Sequence, residues 1–230
     1  MQPSPSTTLA PTQPSLEKSR IFIVDDHAMF REGLRQLIQC EPDFVVCGDA
    51  ANAAEALPAI AKLRPDLVIV DISLSGASGI DLIKSIRDQD EELVVLVVSM
   101  HEESLYAERA LRAGAMGYVM KQEPGKTVKA AIRKVLSGNM HLSDSMSATL
   151  LARFMRGQPA APASPIAALS DRELEVFRML GQGKGVRQIA EELQLSIPTV
   201  NSFRNRIKDK MGFKNSTELL LHAAEWVREG

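Results

Sequence analysis

Five short apolar, β-branched runs alternate with helical patterns through the first 140 residues. The strand patterns fall at about 20–24, 44–48, 67–71, 93–99 and 116–120, and include Ile21-Phe22-Ile23-Val24 and Leu67-Val68-Ile69-Val70. They carry too few polar residues to leave one face in water, which is how strands buried on both faces read. Between them, residues near 28–40, 53–63, 78–88, 103–113 and 124–137 repeat at helical spacing, as Phe30, Leu34, Leu37 and Ile38 do. Strands and helices in strict alternation imply right-handed crossovers and a five-stranded, parallel, doubly wound sheet with helices on both faces.

Polar residues close these runs. Asp25 and Asp26 follow the first, Asp71 ends the third, Ser99 the fourth and Lys121 the fifth. In a parallel sheet every strand's carboxyl end opens at one edge, where ligands bind. Three carboxylates, a hydroxyl and an ammonium are therefore expected in one pocket. Clustered carboxylates repel, so the set calls for a divalent cation, and oxygen-only ligands favour Mg²⁺. Taken singly, Asp71 would be a turn or cap residue, Ser99 a helix N-cap and Lys121 a solvated lysine. The weight lies in their convergence.

The remainder is built differently. A helical stretch from about Asp144 to Arg156 is followed by residues 157–168, where three prolines stand among small residues. Such a segment is a linker, about 20 Å across as a coil and roughly 40 Å fully extended. Four short helices are expected beyond it. Ser170 caps the first with Glu173 in a capping box, and that helix is outlined by Leu174, Phe177, Leu180 and Gly181. Val186 to Leu193 is the second. Ser196 caps a third, which tolerates Pro198 in its first turn and stops at Gly212. Ser216 or Thr217 opens the fourth. Two helices joined by a tight turn, the second basic, form a helix-turn-helix signature.

Charge supports this division. The whole chain has 27 basic and 29 acidic side chains, but positions 198–214 hold Arg204, Arg206, Lys208, Lys210 and Lys214 against Asp209 alone. A basic stripe on an otherwise mixed surface points to a polyanion, most simply double-stranded DNA; the plain alternative is a solvated charged helix. In the third helix Val200, Phe203, Ile207 and Met211 share one face, leaving Asn201, Ser202, Arg204, Asn205 and Lys208 for the others. Cys40 and Cys47 are the only cysteines, and Cys47, inside a strand pattern, reads as a buried thiol. No apolar run is long enough for a membrane span, and residues 1–18 have the composition of a disordered tail without signal-peptide features. A cytoplasmic protein is expected.

At these residues the chain resembles a NarL/FixJ-type response regulator. Residues 19–139 resemble a receiver domain, 140–168 form a linker with a helix, and 169–230 resemble a LuxR-type DNA-binding domain through Leu169 to Val176, Gln188-Ile189-Ala190, Ser196 to Val200 and Lys210-Met211-Gly212. The resemblance implies the flavodoxin-like strand order 2-1-3-4-5. It makes Asp71 the phosphoryl acceptor, with Mg²⁺ held by Asp26, Asp71 and the Ser73 backbone carbonyl, and by Asp25 through water. It has Ser99 and Lys121 contact the phosphoryl group. It implies that Tyr118, expected along an outer face, turns inward on activation. Base contacts fall to Asn201, Ser202 and Asn205, and backbone contacts to Arg204, Arg206, Lys208 and Lys210. A sensor histidine kinase is the implied donor and a phosphorylated homodimer the implied active form, with the unphosphorylated receiver masking the third helix. Ser75 stands where receivers commonly have proline, which leaves the loop 73–79 freer. His101 is expected at the surface near the pocket.

These residues describe a phosphorylation-switched transcriptional regulator with no enzymatic activity beyond slow Mg²⁺-dependent self-phosphorylation and self-dephosphorylation. The alternative is a receiver-type interaction module whose output helices bind protein or RNA.

Overall fold

The computed structural model describes residues 18–74, 77–155 and 165–229. Its first half runs β1 (Ser19–Val24), α1 (Ala28–Gln39), β2 (Phe44–Ala50), α2 (Ala53–Leu63), β3 (Leu67–Val70), β4 (Ser73–Leu74), β5 (Ala77–Ser78), α3 (Gly79–Gln89), β6 (Val94–Ser99), α4 (Glu103–Ala113), β7 (Gly117–Met120) and α5 (Gly125–Leu136). The main sheet is parallel throughout, in the order β2-β1-β3-β6-β7. Counting only its own strands, that is 2-1-3-4-5.

Side-chain alternation divides the interior into two layers. Ile21, Ile23, Leu67, Ile69, Leu96, Val98 and Val119 point to α1 and α5, where they meet Leu34, Ile38, Val128 and Ile132. Phe22, Val24, Val68, Val70, Val95, Val97 and Tyr118 point the other way, toward α2, α3 and α4. With both faces covered, the strands need no polar residues until they emerge at their carboxyl ends. β4 and β5 are a separate antiparallel pair, Ser73 opposite Ser78 and Leu74 opposite Ala77. No periodic pattern in the sequence points to this pair. Ser75, between them, lies outside the described residues, as do residues 1–17 and 156–164, which hold the expected tail and most of the linker. Cys47 is half-buried, its thiol 3.4 Å from the Ile21 carbonyl oxygen, and Cys40 is exposed; both are free.

The second half comprises α6 (Asp144–Met155), a 3-10 turn (Pro165–Ala168), α7 (Asp171–Gly181), α8 (Val186–Glu192), α9 (Ile197–Met211) and α10 (Ser216–Glu229). Ser170 caps α7 in a reciprocal capping box with Glu173, and Ser196 caps α9 by accepting from the Thr199 backbone N–H. Gly212 ends α9 at φ 72°, the left-handed conformation that favours glycine. Val200 and Ile207 of α9 are fully buried, with Phe203 and Met211 partly so. α6 leans on α4 through the Arg153–Glu108 ion pair at 2.5 Å.

Candidate phosphorylation pocket and nucleic-acid interface

The turns after β1, β3, β6 and β7 bring the expected polar set together. Asp25 donates its backbone N–H to the Ala50 carbonyl, and Asp71 donates its own to that of Val24, so both are fixed by the strand ladder as it ends. Lys121 donates its backbone N–H to the Ser99 carbonyl at 2.8 Å, which pins the fifth position to the fourth. α3 begins so close to Asp71 that a Cβ at Gly79 would collide with the Asp71 carbonyl oxygen. Glycine there lets the helix start against the site.

Within the pocket Lys121 is a buried cation between two buried anions. Its Nζ lies 2.6 Å from Asp25 Oδ2 and 2.7 Å from Asp71 Oδ2, and all three side chains are 2–3 % exposed. The ammonium also sits 4.4 Å from the centre of the Phe30 ring, a cation–π contact. Ser99, fully buried, lies beside the Asp71 carboxylate, whose Oδ1 accepts from the Ser73 backbone N–H at 3.3 Å. Burial pushes the Asp71 carboxyl above its ordinary range; Lys121 opposes this and Asp25 reinforces it. Asp26 is half-buried at the rim, where His27 Nδ1 approaches its Oδ1 at 2.8 Å. Carboxylate oxygens of Asp25, Asp26 and Asp71, with a nitrogen of His27, lie within 4.8 Å of one another.

Two expectations need correction. His101 is buried at 4 % exposure: its Nε2 is 2.6 Å from Ser73 Oγ, and its ring stacks on Tyr106 at 4.4 Å between centroids. Desolvation, helped by the charges of Arg178 and Lys121, lowers its pKa to about 3, so the ring is neutral. Tyr118 does lie on the opposite sheet face from Lys121, but that face is covered by α3 and α4. The ring is buried, and its hydroxyl donates to the His101 carbonyl at 2.8 Å. Burial raises its pKa. Only the packing of α4, and of α7 beyond it, closes over these residues, so no local signal reports their burial.

On α9, Asn201, Ser202, Asn205 and Arg206 are exposed. These faces are open to solvent, contrary to the expectation that the α/β half masks the helix; the helix held against it is α7. Arg204 is half-buried. It lines a cleft of about 400 Å³ between the α7–α8 turn and α10, and donates to Asn201 Oδ1 at 3.2 Å. Lys208 is half-buried, and Arg206 lies over the Phe203 ring at 4.9 Å. Lys210, exposed, also has partners inside its own domain. Its Nζ pairs with buried Glu173 of α7 at 2.6 Å and donates to the Ala168 carbonyl at 3.3 Å. Burial pulls the Glu173 carboxyl up, but Lys210 and Ser170 outweigh it and hold its pKa below the usual range. A buried carboxylate needs that partner, so Lys210 has a role within the fold.

A sheet edge with this acidic set and a basic helix-turn-helix define a two-domain signalling protein. The response regulator receiver domain family matches residues 21–133, and the luxR family of bacterial regulatory proteins matches residues 167–223. Oxygen regulatory protein NreC of Staphylococcus aureus strain MRSA252 is 32% identical over 208 residues, covering 89% of this chain and 96% of NreC. A LuxR-family two-component response regulator from Aurantimonas sp. SI85-9A1 is 34% identical, with a TM-score of 0.56 over 60% of this chain and 99% of that one. RcsB from Salmonella enterica serovar Typhimurium, bound to promoter rprA in the presence of the phosphomimetic BeF3-, is 25% identical, with a TM-score of 0.60 over 90% of this chain and 99% of its own. The chain belongs to the response regulators that join a receiver to a LuxR-type DNA-binding domain. It is a phosphorylation-dependent transcriptional regulator, a class whose receiver implies a sensor kinase partner and whose output domain implies DNA binding. No helix among the described residues is long and apolar enough to cross a membrane.

Proposed function

We propose that Asp71 is the phosphoryl acceptor, on one observation above the rest: it is the buried carboxylate that both Lys121 and Ser99 engage at the strand-end edge. A carboxylate oxygen of Asp71 attacks the phosphorus of a phosphohistidine on a sensor histidine kinase. The O–P bond forms as the N–P bond breaks, and the imidazole leaves with a proton. Lys121 carries positive charge to where the phosphoryl oxygens arrive, and Ser99 offers its hydroxyl to them. Asp25, Asp26 and Asp71, with the Ser73 backbone carbonyl, would hold Mg²⁺. The donor set fits, being anionic oxygens gathered at the mouth of the pocket. When bound, the ion neutralises charge on the transferring group. The same groups support slow self-phosphorylation from small donors and slow hydrolysis.

Output follows from α9. Asn201, Ser202 and Asn205, exposed and neutral, read base edges; Arg206 and Lys208 contact the phosphate backbone, with Arg204 at the margin. Two copies bind DNA as a homodimer once phosphorylated, in the cytoplasm where kinase and DNA meet. The RcsB complex on promoter DNA with a phosphomimetic favours this reading over an output domain that binds protein or RNA.

Mass spectrometry after exposure to acetyl phosphate tests the acceptor. Wild type should gain one phosphoryl group with Mg²⁺ and little with a chelator, while Asp71→Asn should gain none because its amide lacks the nucleophilic oxyanion. Undiminished incorporation in Asp71→Asn overturns the assignment.

A further inference from the structure

His101 borders the pocket, is buried, and takes no part in the phosphoryl transfer itself. It is held at several points. Its backbone N–H donates to Ser99 Oγ at 3.4 Å, and its carbonyl accepts from the Tyr118 hydroxyl at 2.8 Å. Its ring lies on Tyr106 of α4, with 4.4 Å between centroids and 25° between planes. A ring packed to 4 % exposure has little room to turn. Its Nε2 meets Ser73 Oγ at 2.6 Å. Either atom of such a pair can donate, so the tie holds in both ring tautomers.

Ser73 needs such an anchor. It belongs to β4, a strand of two residues paired with β5 and separate from the main sheet. A lone two-stranded pair is marginal in water, and Ser75 leaves the turn without the fixed φ of a proline. The bond from the Ser73 backbone N–H to Asp71 Oδ1 is long at 3.3 Å, against a usual value of about 2.9–3.0 Å. The bond to His101 is the shorter of the two. It ties the small pair to the sheet, because His101 stands two residues beyond Ser99 at the end of β6, the neighbour of β3.

We propose that His101 is a positioning residue for the metal: it clasps the Ser73 side chain and so fixes the residue whose carbonyl would join Asp25, Asp26 and Asp71 around Mg²⁺. The clasp rests on the reading of this pocket as a Mg²⁺-dependent phosphorylation site, and adds what holds its backbone ligand. The three carboxylates come from strand ends, which the main sheet fixes. The Ser73 carbonyl comes from the small pair, which the main sheet does not. Mg²⁺ demands near-ideal octahedral geometry with ligands at about 2.0–2.1 Å, so a ligand that drifts is exchanged for water. His101 acts through Ser73, and outer partners of this kind set about 10–100-fold in metal affinity.

Titration of the full-length chain with Mg²⁺, followed through amide chemical shifts and without a phosphodonor, tests this. His101→Phe keeps an aromatic ring on Tyr106 but has no Nε2, and Ser73→Ala removes the hydroxyl while keeping the carbonyl. Each should raise the Mg²⁺ dissociation constant by about tenfold. The double variant should lose no more than either alone, since both changes remove one bond; side chains that merely support the fold separately would give losses that multiply. Wild-type affinity in either single variant, or losses that multiply, would overturn the clasp. If His101→Phe fails to fold, Ser73→Ala, at a half-buried position, decides by the same criterion. Asp26→Asn keeps the two readings apart. A wild type that binds no Mg²⁺, or an Asp26→Asn variant that binds it equally well, would refute the metal reading and the clasp with it. Weakened binding in Asp26→Asn beside undiminished binding in His101→Phe would refute the clasp alone.

Discussion

Replacing Lys121 by methionine removes the cation that bridges Asp25 and Asp71 while keeping the length and apolar stem of the side chain. All three residues are almost wholly buried, and Nζ is within 2.7 Å of both carboxylates. Deleting one member of a buried ion pair costs about 3–5 kcal/mol, mostly because the charges left behind have no partner. The contact with Phe30 adds about 0.5–2 kcal/mol. Lys121→Met should therefore lose about 3.5–7 kcal/mol of receiver stability in chelator, read by urea unfolding with circular dichroism. Mg²⁺ should restore part of that loss. A ligand at a hundred times its dissociation constant stabilises by about 2.7 kcal/mol, and carboxylates with no ammonium to share bind a dication more tightly. The pH response has a definite sign. Burial already places the Asp71 carboxyl above its ordinary range, and Lys121 is the main group opposing that shift. A carboxyl whose folded pKa is raised loses stability as pH climbs from its unfolded value through its folded one. Without Lys121 that window widens upward, so the metal-free variant should regain stability on acidification from neutral pH more than wild type does. A deficit under about 1 kcal/mol in chelator, with no response to Mg²⁺, would refute the account of the pocket as a buried charge cluster.

The remaining expectations address other parts of the chain. Asn205→Ala should weaken binding to the preferred site by about 1–3 kcal/mol with little change on random duplex, whereas Lys208→Ala should weaken both and lower the salt slope by about 0.9; salt-titrated binding to the two DNAs separates them. Lys210→Ala should leave that slope unchanged but lower the melting temperature of the output domain, because buried Glu173 loses its cation. His101, held neutral with its pKa lowered to about 3, contributes stability above the ordinary histidine pKa that is lost as pH falls through the window from about 6.5 to 3. The loss by pH 5 should be about 2 kcal/mol, and His101→Asn should flatten that part of the stability–pH curve; an unchanged curve would mean the ring is solvated.

The alternation of buried strands and amphipathic helices, and the polar residue closing each strand, are local patterns with fixed periods. Sequence alone therefore determined the sheet, its helices on both faces and the edge at which Asp25, Asp26, Asp71, Ser99 and Lys121 meet. The caps of α7 and α9 were legible for the same reason, since Ser170 and Ser196 act on backbone groups three residues away. Burial by distant elements has no local period. His101 and Tyr118 look like ordinary rim and outer-face residues until α4 and α7 close over them, and nothing local announces that Lys210 pairs with Glu173 at 2.6 Å. The role of α7 was least legible of all. Asp171, Glu175 and Arg178 form a solvated stripe in any reading of the helix alone, and only the approach of α3 and α4 turns that stripe into an interface, because the charge that would have been stabilised by water is stabilised instead by Lys84 and Arg109.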